Sequence, residues 1–153
     1  MNFLETKITP TIVTILFGFA MWNTSTVTQS AQLMPSIRIL GLGVVIVLGL
    51  LFLLSGAASF RFAKTTVNPL KPEAATSLVT SGIYKITRNP MYVGLALLLC
   101  DWAFYLNSLR ATPFILLFIS YIHRFQIIPE ERALIQNFYE EFMSYKKRVR
   151  PWL

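Results

Sequence analysis

Long apolar runs dominate this sequence and restrict how it can fold. Four such runs cover residues 8–27, 37–60, 90–107 and 111–128. Helices of this length, rising about 1.5 Å per residue, suit the roughly 30 Å of hydrocarbon in a bilayer. Of the 153 residues, 54% are hydrophobic and 14% are charged, which indicates a membrane protein. We predict an all-α polytopic membrane protein with four transmembrane helices in a single domain, 1–153.

The first run also fits the core of a cleaved signal peptide, because it follows Lys7 and precedes small and polar residues at Ser30 and Ala31. However, residues 23–32 contain no clear small-x-small cleavage site, and the run lengthens at both ends. We therefore expect the first helix to be retained.

The positive charge is spread unevenly. Most of the 14 lysines and arginines lie in 61–88 or 124–150, and the formal net charge is +7. Four spans would place both segments and the N-terminus on one face, which the positive-inside rule makes cytoplasmic. The charge then serves orientation and anionic headgroups rather than nucleic acid. We predict cytoplasmic termini and cytosolic site segments at 61–89 and 129–153.

Glycines in the second run predict close helix packing. Gly41, Gly43, Gly49 and Gly56 lie there, and small residues let helix backbones approach closely in lipid. We predict that this helix is central in the bundle.

Three residues stand alone in the later runs. Cys100 is the single cysteine, so disulfide and metal-cluster interpretations fail and we expect no metal. Asp101 is an acid inside a span, which marks a functional hypothesis, but it lies roughly 16 Å beyond Pro90, so we favour a structural role. We expect His123, near a helix end, to be hydrogen-bonded or interfacial rather than catalytic.

The third and fourth runs predict a tight helical hairpin, since residues 107–110 alone separate them. The loop before Pro90 must then meet the segment after Ile128. There, Pro129, Glu130 and Glu131 suit the start of a helix. Apolar side chains follow at helical spacing: Leu134, Ile135, Phe138, Phe142 and Tyr145. We predict an amphipathic interfacial C-terminal helix against the bilayer or the bundle, ending in a basic cluster and an interfacial tryptophan, Trp152.

The sequence SGIYKITRNPMYVG sets polar chemistry at the start of the third helix. Pro90 suits the first helical turn, whose free N–H groups favour a carboxylate or phosphate. Arg88 adds a forked donor and Asn89 a helix cap, while Tyr84 and Tyr92 offer aromatic faces to a cation. Alone, these features also fit an ordinary helix start at a membrane surface.

The two glutamates strengthen the case for a site. Glu130 and Glu131 return to the same face, where they could bind a cation or ribose hydroxyls. Paired acids at a helix start are usually dipole partners. Their convergence with an anion-binding helix start and aromatic faces predicts a ligand site at the hairpin mouth.

Three segments resemble bacterial members of the isoprenylcysteine carboxyl methyltransferase family, integral membrane enzymes related to phospholipid methyltransferases. They read FRFAKTTVNP, SLVTSGIYKITRNPMYVG and IIPEERALIQNFYEEFMSYKKRVRPWL. The resemblance begins near Phe60, and the first two spans match in length and character alone. It implies methyl transfer from S-adenosylmethionine in a bacterial inner membrane.

The resemblance also implies which residues bind the cofactor. The motif R-x-P-x-Y-x-G and the double glutamate fall on Arg88, Pro90, Tyr92, Gly94, Glu130 and Glu131, and we add Tyr84 and Asn89. Many relatives have histidine where this chain has Asn89, an amide that forms hydrogen bonds but is neither acid nor base. Tyr139 stands where a glycine is common.

The expected chemistry needs positioning more than a base. The cofactor's carboxylate suits the helix start, its sulfonium suits tyrosine faces and its ribose suits a glutamate. Arg148 or Arg150 would hold a carboxylate acceptor, whereas an amine or thiol would need a base such as His123 or a glutamate. We assign Arg148 and Glu131 as candidate catalytic residues, with a lipophilic acceptor and membrane lipids as partners.

Two other functions fit parts of the pattern. A membrane reductase of the sterol-reductase type would use a nicotinamide cofactor, although the chain is short for one. A non-catalytic membrane adaptor would need only the spans and the basic tail, and would tolerate Glu131→Gln and Tyr92→Ala.

Overall fold

The computed structural model describes residues 8–26, 35–63 and 76–153. Its six α-helices in these ranges are α1 (Pro10–Thr26), α2 (Pro35–Phe62), α3 (Pro90–Leu106), α4 (Thr112–Ile122), α5 (Ile128–Asn137) and α6 (Tyr139–Arg148). Short 3-10 turns cover Gly82–Lys85 and Leu109–Ala111, and a π-helical segment, His123–Ile127, joins α4 to α5. The described ranges contain no strand, so the predicted all-α class is confirmed there. The end of the predicted first span and most of the first half of segment 61–89 lie outside the described residues.

Two helices in the described ranges are long and apolar enough to cross a membrane, Ile39–Phe62 and Leu109–Asn137. Helix α3 is apolar but has 17 residues, and α1 is equally short. Each of the four predicted spans therefore corresponds to a helix. That all four cross the membrane stays a prediction.

The fourth predicted span does not end at residue 128. Helix α4 continues through the π-helical segment into α5, so one rod runs to Asn137. Pro129 has no N–H to give to a carbonyl four residues back. Just before Pro129 the backbone hydrogen bonds change to the π-helical spacing of five residues. There the Ile128 N–H donates to the His123 carbonyl. Pro129 thus lies inside a continuing helix rather than at the start of a new one.

Helix α3, not α2, is central. It contacts α1, α2 and α4, whereas the extensive contacts of α2 are with α3 and the turn Gly82–Lys85. The opposite face of α2 is open, with Ile39 and Leu40 each 71% exposed. The predicted central position of α2 is therefore wrong, because its glycines serve one neighbour rather than several.

The glycine packing itself is present at the crossing of α2 and α3. A Cβ added to Gly94 would lie 2.8 Å from the Gly49 carbonyl oxygen and 2.7 Å from Leu53 Cγ. A Cβ added to Gly56 would lie 2.8 Å from Met91 Cγ. The two backbones approach as closely as small residues permit in membrane helices.

The C-terminal amphipathic segment forms two helices rather than one. Phe138 breaks the helix with φ −140° and ψ 49° between α5 and α6. Phe142 and Tyr145 are buried with Val79 and Tyr84 in one cluster, and the other apolar residues of the segment pack against it. The apolar face therefore meets the protein, and a position at the bilayer surface stays a prediction.

The α3–α4 connection is the predicted tight hairpin. Asn107 ends α3 in the left-handed conformation with φ 53°, and the Ala111 N–H donates to the Ser108 carbonyl at 3.0 Å. The two helices run antiparallel, so the residues before α3 face those that follow α4.

Candidate functional site

Two side-chain pairs join the start of α3 to the start of α5. Arg88 Nη2 lies 2.5 Å from Glu131 Oε1, and the Tyr92 hydroxyl donates to Glu130 Oε1. These pairs bring together four of the predicted site residues from segments about 40 residues apart in the chain. We call the four residues the polar cluster.

The Arg88–Glu131 pair is well shielded from solvent. The Arg88 side chain is 7% exposed and that of Glu131 is 15% exposed. Lys146 Nζ lies 2.8 Å from the second Glu131 oxygen but is 42% exposed. Ion pairs away from water interact strongly, and removing one partner leaves the other charge uncompensated. Glu131 is thus already engaged by two cations.

Arg88 also binds backbone carbonyls near the C-terminus. Its Nη1 donates to Val149 at 2.7 Å and to Lys146 at 3.2 Å. Its Nε is buried and has no partner among the described residues. A buried donor without a partner costs free energy.

The second pair lies among aromatic residues. Tyr92 and Tyr84 are both buried, and the Tyr84 ring meets that of Phe60 edge to face at 5.5 Å. Burial, together with the neighbouring Glu130, raises the pKa of Tyr84. Burial likewise raises the pKa of Tyr145, whose hydroxyl donates to the Tyr84 carbonyl at 2.6 Å. Both phenols therefore stay neutral at physiological pH.

Asn89 does not cap α3, and this part of the prediction is wrong. A cap would accept a backbone N–H through Oδ1, but the side chain makes no such hydrogen bond. The other end of the amide, Nδ2, donates to the Pro151 carbonyl at 2.9 Å. Pro90 does begin the helix and is buried. Gly94 faces α2 at the helix crossing, which accounts for its missing side chain, and its part in cofactor binding stays a prediction.

Arg148 lies apart from the polar cluster, exposed at the end of α6 and beside two open cavities. The larger, about 460 Å³, lies between α6 and Leu78 and Thr80. The smaller, about 310 Å³, adds Lys85, Tyr145 and Val149 to its lining. Cavities of roughly 300–1,000 Å³ accommodate small molecules. Since Val149 also binds Arg88, the smaller cavity adjoins the polar cluster.

Several contacts of buried side chains could not be predicted from the sequence. Thr87 is fully buried and donates to the Pro151 carbonyl at 3.1 Å. Gln126, in the π-helical segment, is fully buried and donates to the Ile8 carbonyl at 2.7 Å. Lys146, which belongs to the predicted C-terminal basic cluster, also pairs with Glu131. No local pattern indicates these contacts, since each partner lies far along the chain.

Trp152 is tied to the fold rather than presented as a free anchor. Its Nε1 donates to His123 Nδ1 at 3.4 Å, so the expected hydrogen-bonded role of His123 is confirmed. Asp101 is 8% exposed, and its Oδ1 has no partner within the described ranges. Cys100 is a half-buried free thiol.

The described residues offer no alternative centre built on a metal. No three His, Cys, Asp or Glu side chains within these ranges come close enough to hold an ion. The polar cluster instead offers a guanidinium, two carboxylates and one phenol at one end of an apolar bundle. Such a set can bind a polar ligand that carries both an anionic group and hydroxyls.

Comparison with known proteins indicates a family for this chain. An uncharacterized protein of Haemophilus influenzae is 40% identical over 63 residues, which are 41% of this chain and the whole of that protein. No solved structure matches the chain. The sequence model of the phospholipid methyltransferase family matches residues 37–141, a range that contains both halves of the polar cluster. The chain therefore belongs to the phospholipid methyltransferase family.

Proposed function

We propose that this protein is an S-adenosylmethionine-dependent methyltransferase that acts on a lipophilic acceptor at the cytosolic face of a membrane. One observation carries the proposal. Within a chain of the phospholipid methyltransferase family, the pairs Arg88–Glu131 and Tyr92–Glu130 form one shielded polar cluster from two distant segments.

The polar cluster fits the cofactor chemically. The unpartnered Arg88 Nε would donate to its carboxylate. Glu131 is engaged by Arg88 and Lys146, so Glu130 is the better candidate for the ribose hydroxyls. The faces of Tyr84 and Tyr92 would favour the positively charged sulfur. When bound, S-adenosylmethionine supplies a methyl group that an acceptor lone pair displaces from this sulfur, which leaves as a neutral thioether.

The acceptor would enter beside Arg148. Lys85 and Arg148 line the smaller cavity, so an anionic end of the acceptor, such as a carboxylate or phosphate, would be held there. An ionised carboxylate needs no base, and alignment with exclusion of water supplies much of the rate. An amine acceptor would have to lose a proton, for which a glutamate of the polar cluster is the candidate base.

The proposed function includes a membrane arrangement with four spans and cytoplasmic termini in a bacterial inner membrane. Helix α3 packs directly against both long helices, and α1 packs against α3 and α4. A helix that packs along membrane-spanning neighbours would cross the same hydrocarbon layer as they do. This arrangement places the polar cluster at the cytosolic surface, on the side of the basic residues.

Calorimetric titration of the detergent-purified protein tests the cofactor. We expect S-adenosylhomocysteine to bind with a dissociation constant below about 1 mM, or about −4 kcal/mol, and NADPH not to bind. Binding of NADPH alone would favour the reductase, and binding of neither would favour the adaptor.

Two matched variants then locate the binding residues. Glu130→Gln should weaken S-adenosylhomocysteine binding about tenfold through loss of a charged hydrogen bond, whereas Lys147→Ala on the exposed face of α6 should leave it unchanged. Weakening by Glu131→Gln but not by Glu130→Gln would reverse the assignment of the two glutamates.

The chemical class of the acceptor can be read from labelled products. Purified protein is incubated with membrane lipid extract and S-adenosylmethionine carrying a labelled methyl group. Label in the lipid phase that mild alkali releases as methanol would identify a carboxylate acceptor. Label that survives alkali would identify an amine or thiol acceptor, and no transfer from any lipid fraction would argue against a lipophilic acceptor.

A further inference from the structure

The last residues of the chain lie across the polar cluster. Residues 149–152, which we call the C-terminal strap, offer three successive carbonyls to the start of α3. The Arg88 side chain donates to Val149 and its backbone N–H donates to Arg150 at 2.9 Å. Asn89 and Thr87 both donate to Pro151. All of these hydrogen bonds are accepted by backbone carbonyls of the strap and none by its side chains.

The other end of the C-terminal strap reaches the helix that carries the glutamates. Trp152 donates to His123, the first residue of the π-helical segment. The Trp152 ring also packs against the buried cluster that contains Tyr92 and Ile127. The strap therefore links the segment of Arg88 to the rod of Glu130 and Glu131 at a point outside both pairs.

This link bears on how Arg88 is oriented. The Val149 carbonyl takes one guanidinium nitrogen, which leaves the other nitrogen directed at Glu131. The position of Val149 depends in turn on Pro151, two residues further along the strap. The Pro151 carbonyl accepts hydrogen bonds from Asn89 and from the fully buried Thr87. If the strap detached, Arg88 would lose the shorter of its two side-chain bonds to carbonyls, the one to Val149, and would keep the one to Lys146 at 3.2 Å. Its direction would then be less firmly fixed.

We propose that the C-terminal strap orients Arg88 for cofactor binding and that Asn89 and Thr87 are the positioning residues that hold it. This inference rests on the proposed function. In this proposal Asn89 acts as an N–H hydrogen-bond donor and does not transfer a proton. Histidine at this position also has a ring N–H, so it would serve the same purpose.

The test compares four variants in the full chain, labelled with 5-fluorotryptophan. Asn89→Leu and Thr87→Val remove one donor each at similar volume, Asn89→His keeps a donor, and Leu153→Ala alters a side chain that is 65% exposed at the end of the tail. Fluorine NMR reports the Trp152 environment, its resonance being assigned with Trp152→Phe. Calorimetry reports the dissociation constant of S-adenosylhomocysteine.

We expect Asn89→Leu to move the Trp152 resonance toward its solvent-exposed position and to raise the dissociation constant about tenfold, equivalent to about 1.4 kcal/mol. Thr87→Val should act in the same direction and stands in if Asn89→Leu does not fold. Asn89→His should recover binding to within about threefold, an effect under 1 kcal/mol, and Leu153→Ala should match the parent protein.

Two results would overturn the inference. One is a displaced Trp152 resonance with unchanged affinity in the donor-deleting variants, which would make the strap purely structural. The other is an equal loss in Asn89→His. Failure of the parent protein to bind S-adenosylhomocysteine would refute the proposed function and this inference with it, whereas normal binding by all variants would refute this inference alone.

Discussion

The two ends of α3 are built in different ways. At the end near Asn107 the turn is closed by local backbone bonds, from Asn107 to Phe104 at 3.2 Å and from Ala111 to Ser108. At the end near Arg88 the hydrogen bonds reach residues 38 to 64 positions away. The first end is specified by a few neighbouring residues, and the second by three separate segments.

This difference indicates where function can reside. A local turn can form without the rest of the protein and has little to position. The Arg88 end exists only when α3, α5 and the C-terminal strap are assembled, and it holds charged groups away from water. Such arrangements cost free energy to build, so they persist mainly where function requires them. They are therefore concentrated at binding sites.

Deleting a charge at the Arg88 end should have the largest effect. In Glu131→Ala the shielded Arg88 keeps its charge without an acidic partner, so the free energy of unfolding should fall by about 3 kcal/mol. Lys146→Ala is the matched control, because it removes the exposed cation from the same carboxylate and should cost below about 1 kcal/mol. Chemical unfolding in detergent micelles measures both.

Equal losses in these two variants would contradict the comparison. They would mean that the Arg88–Glu131 pair is no better shielded than a surface ion pair, and that the Arg88 end owes its stability to the backbone bonds of the C-terminal strap alone.

Gly94→Ala probes the middle of α3, between the two ends. The added Cβ would press on Leu53 and on the Gly49 carbonyl, so the unfolding free energy should fall by about 2 kcal/mol through overpacking. Gly43→Ala, where a Cβ would meet nothing within 4 Å, should be neutral or slightly stabilising, since alanine favours helix over glycine. A loss of cofactor affinity well beyond the loss of stability would assign Gly94 to the site instead.

Alkaline pH should weaken the Arg88 end selectively. Burial raises the pKa of Tyr84 and Tyr145 above the unfolded value of about 10. Their contribution is complete below about pH 10 and is lost as pH rises beyond it, by up to about 1.4 kcal/mol per pH unit for each phenol. Tyr145→Phe should cost about 1 kcal/mol at pH 7 through the lost bond to Tyr84 and should flatten the fall between pH 10 and 11. An unchanged slope would show that Tyr145 does not take part.

The local end of α3 is also the part that the sequence predicted well. Four residues between two apolar runs permit little besides a tight hairpin, and an antiparallel hairpin brings the segment of Arg88 to the same end as the segment of Glu131. Apolar length and proline positions likewise placed α1, α2 and α3 to within a few residues. These features depend on neighbours in the chain, so a single sequence displays them.

The remainder depends on contacts between distant residues. Nothing near Asn89 shows whether its Oδ1 caps the helix or its Nδ2 donates to a distant carbonyl, because one asparagine side chain offers both atoms. Lys146 and Trp152 are residue types that are typical of a membrane anchor. The structure is needed to show that they pair with Glu131 and His123. The glycines of α2 indicated a close neighbour, but not that α3 would be the helix with neighbours on several sides.

Asn107→Gly should have the smallest effect and tests whether the two ends of α3 are independent. Glycine adopts the left-handed conformation of Asn107 without strain but gains more freedom in the unfolded chain, so the net change should stay within about 0.5 kcal/mol. Asn107→Ala should cost about 1 kcal/mol, because Cβ crowds the following carbonyl in this conformation. Neither change should alter the affinity for S-adenosylhomocysteine, because the turn is closed by its own backbone. A shift in affinity with either variant would show that strain at this end travels along α3 to Arg88, and the two ends would then have to be treated as one unit.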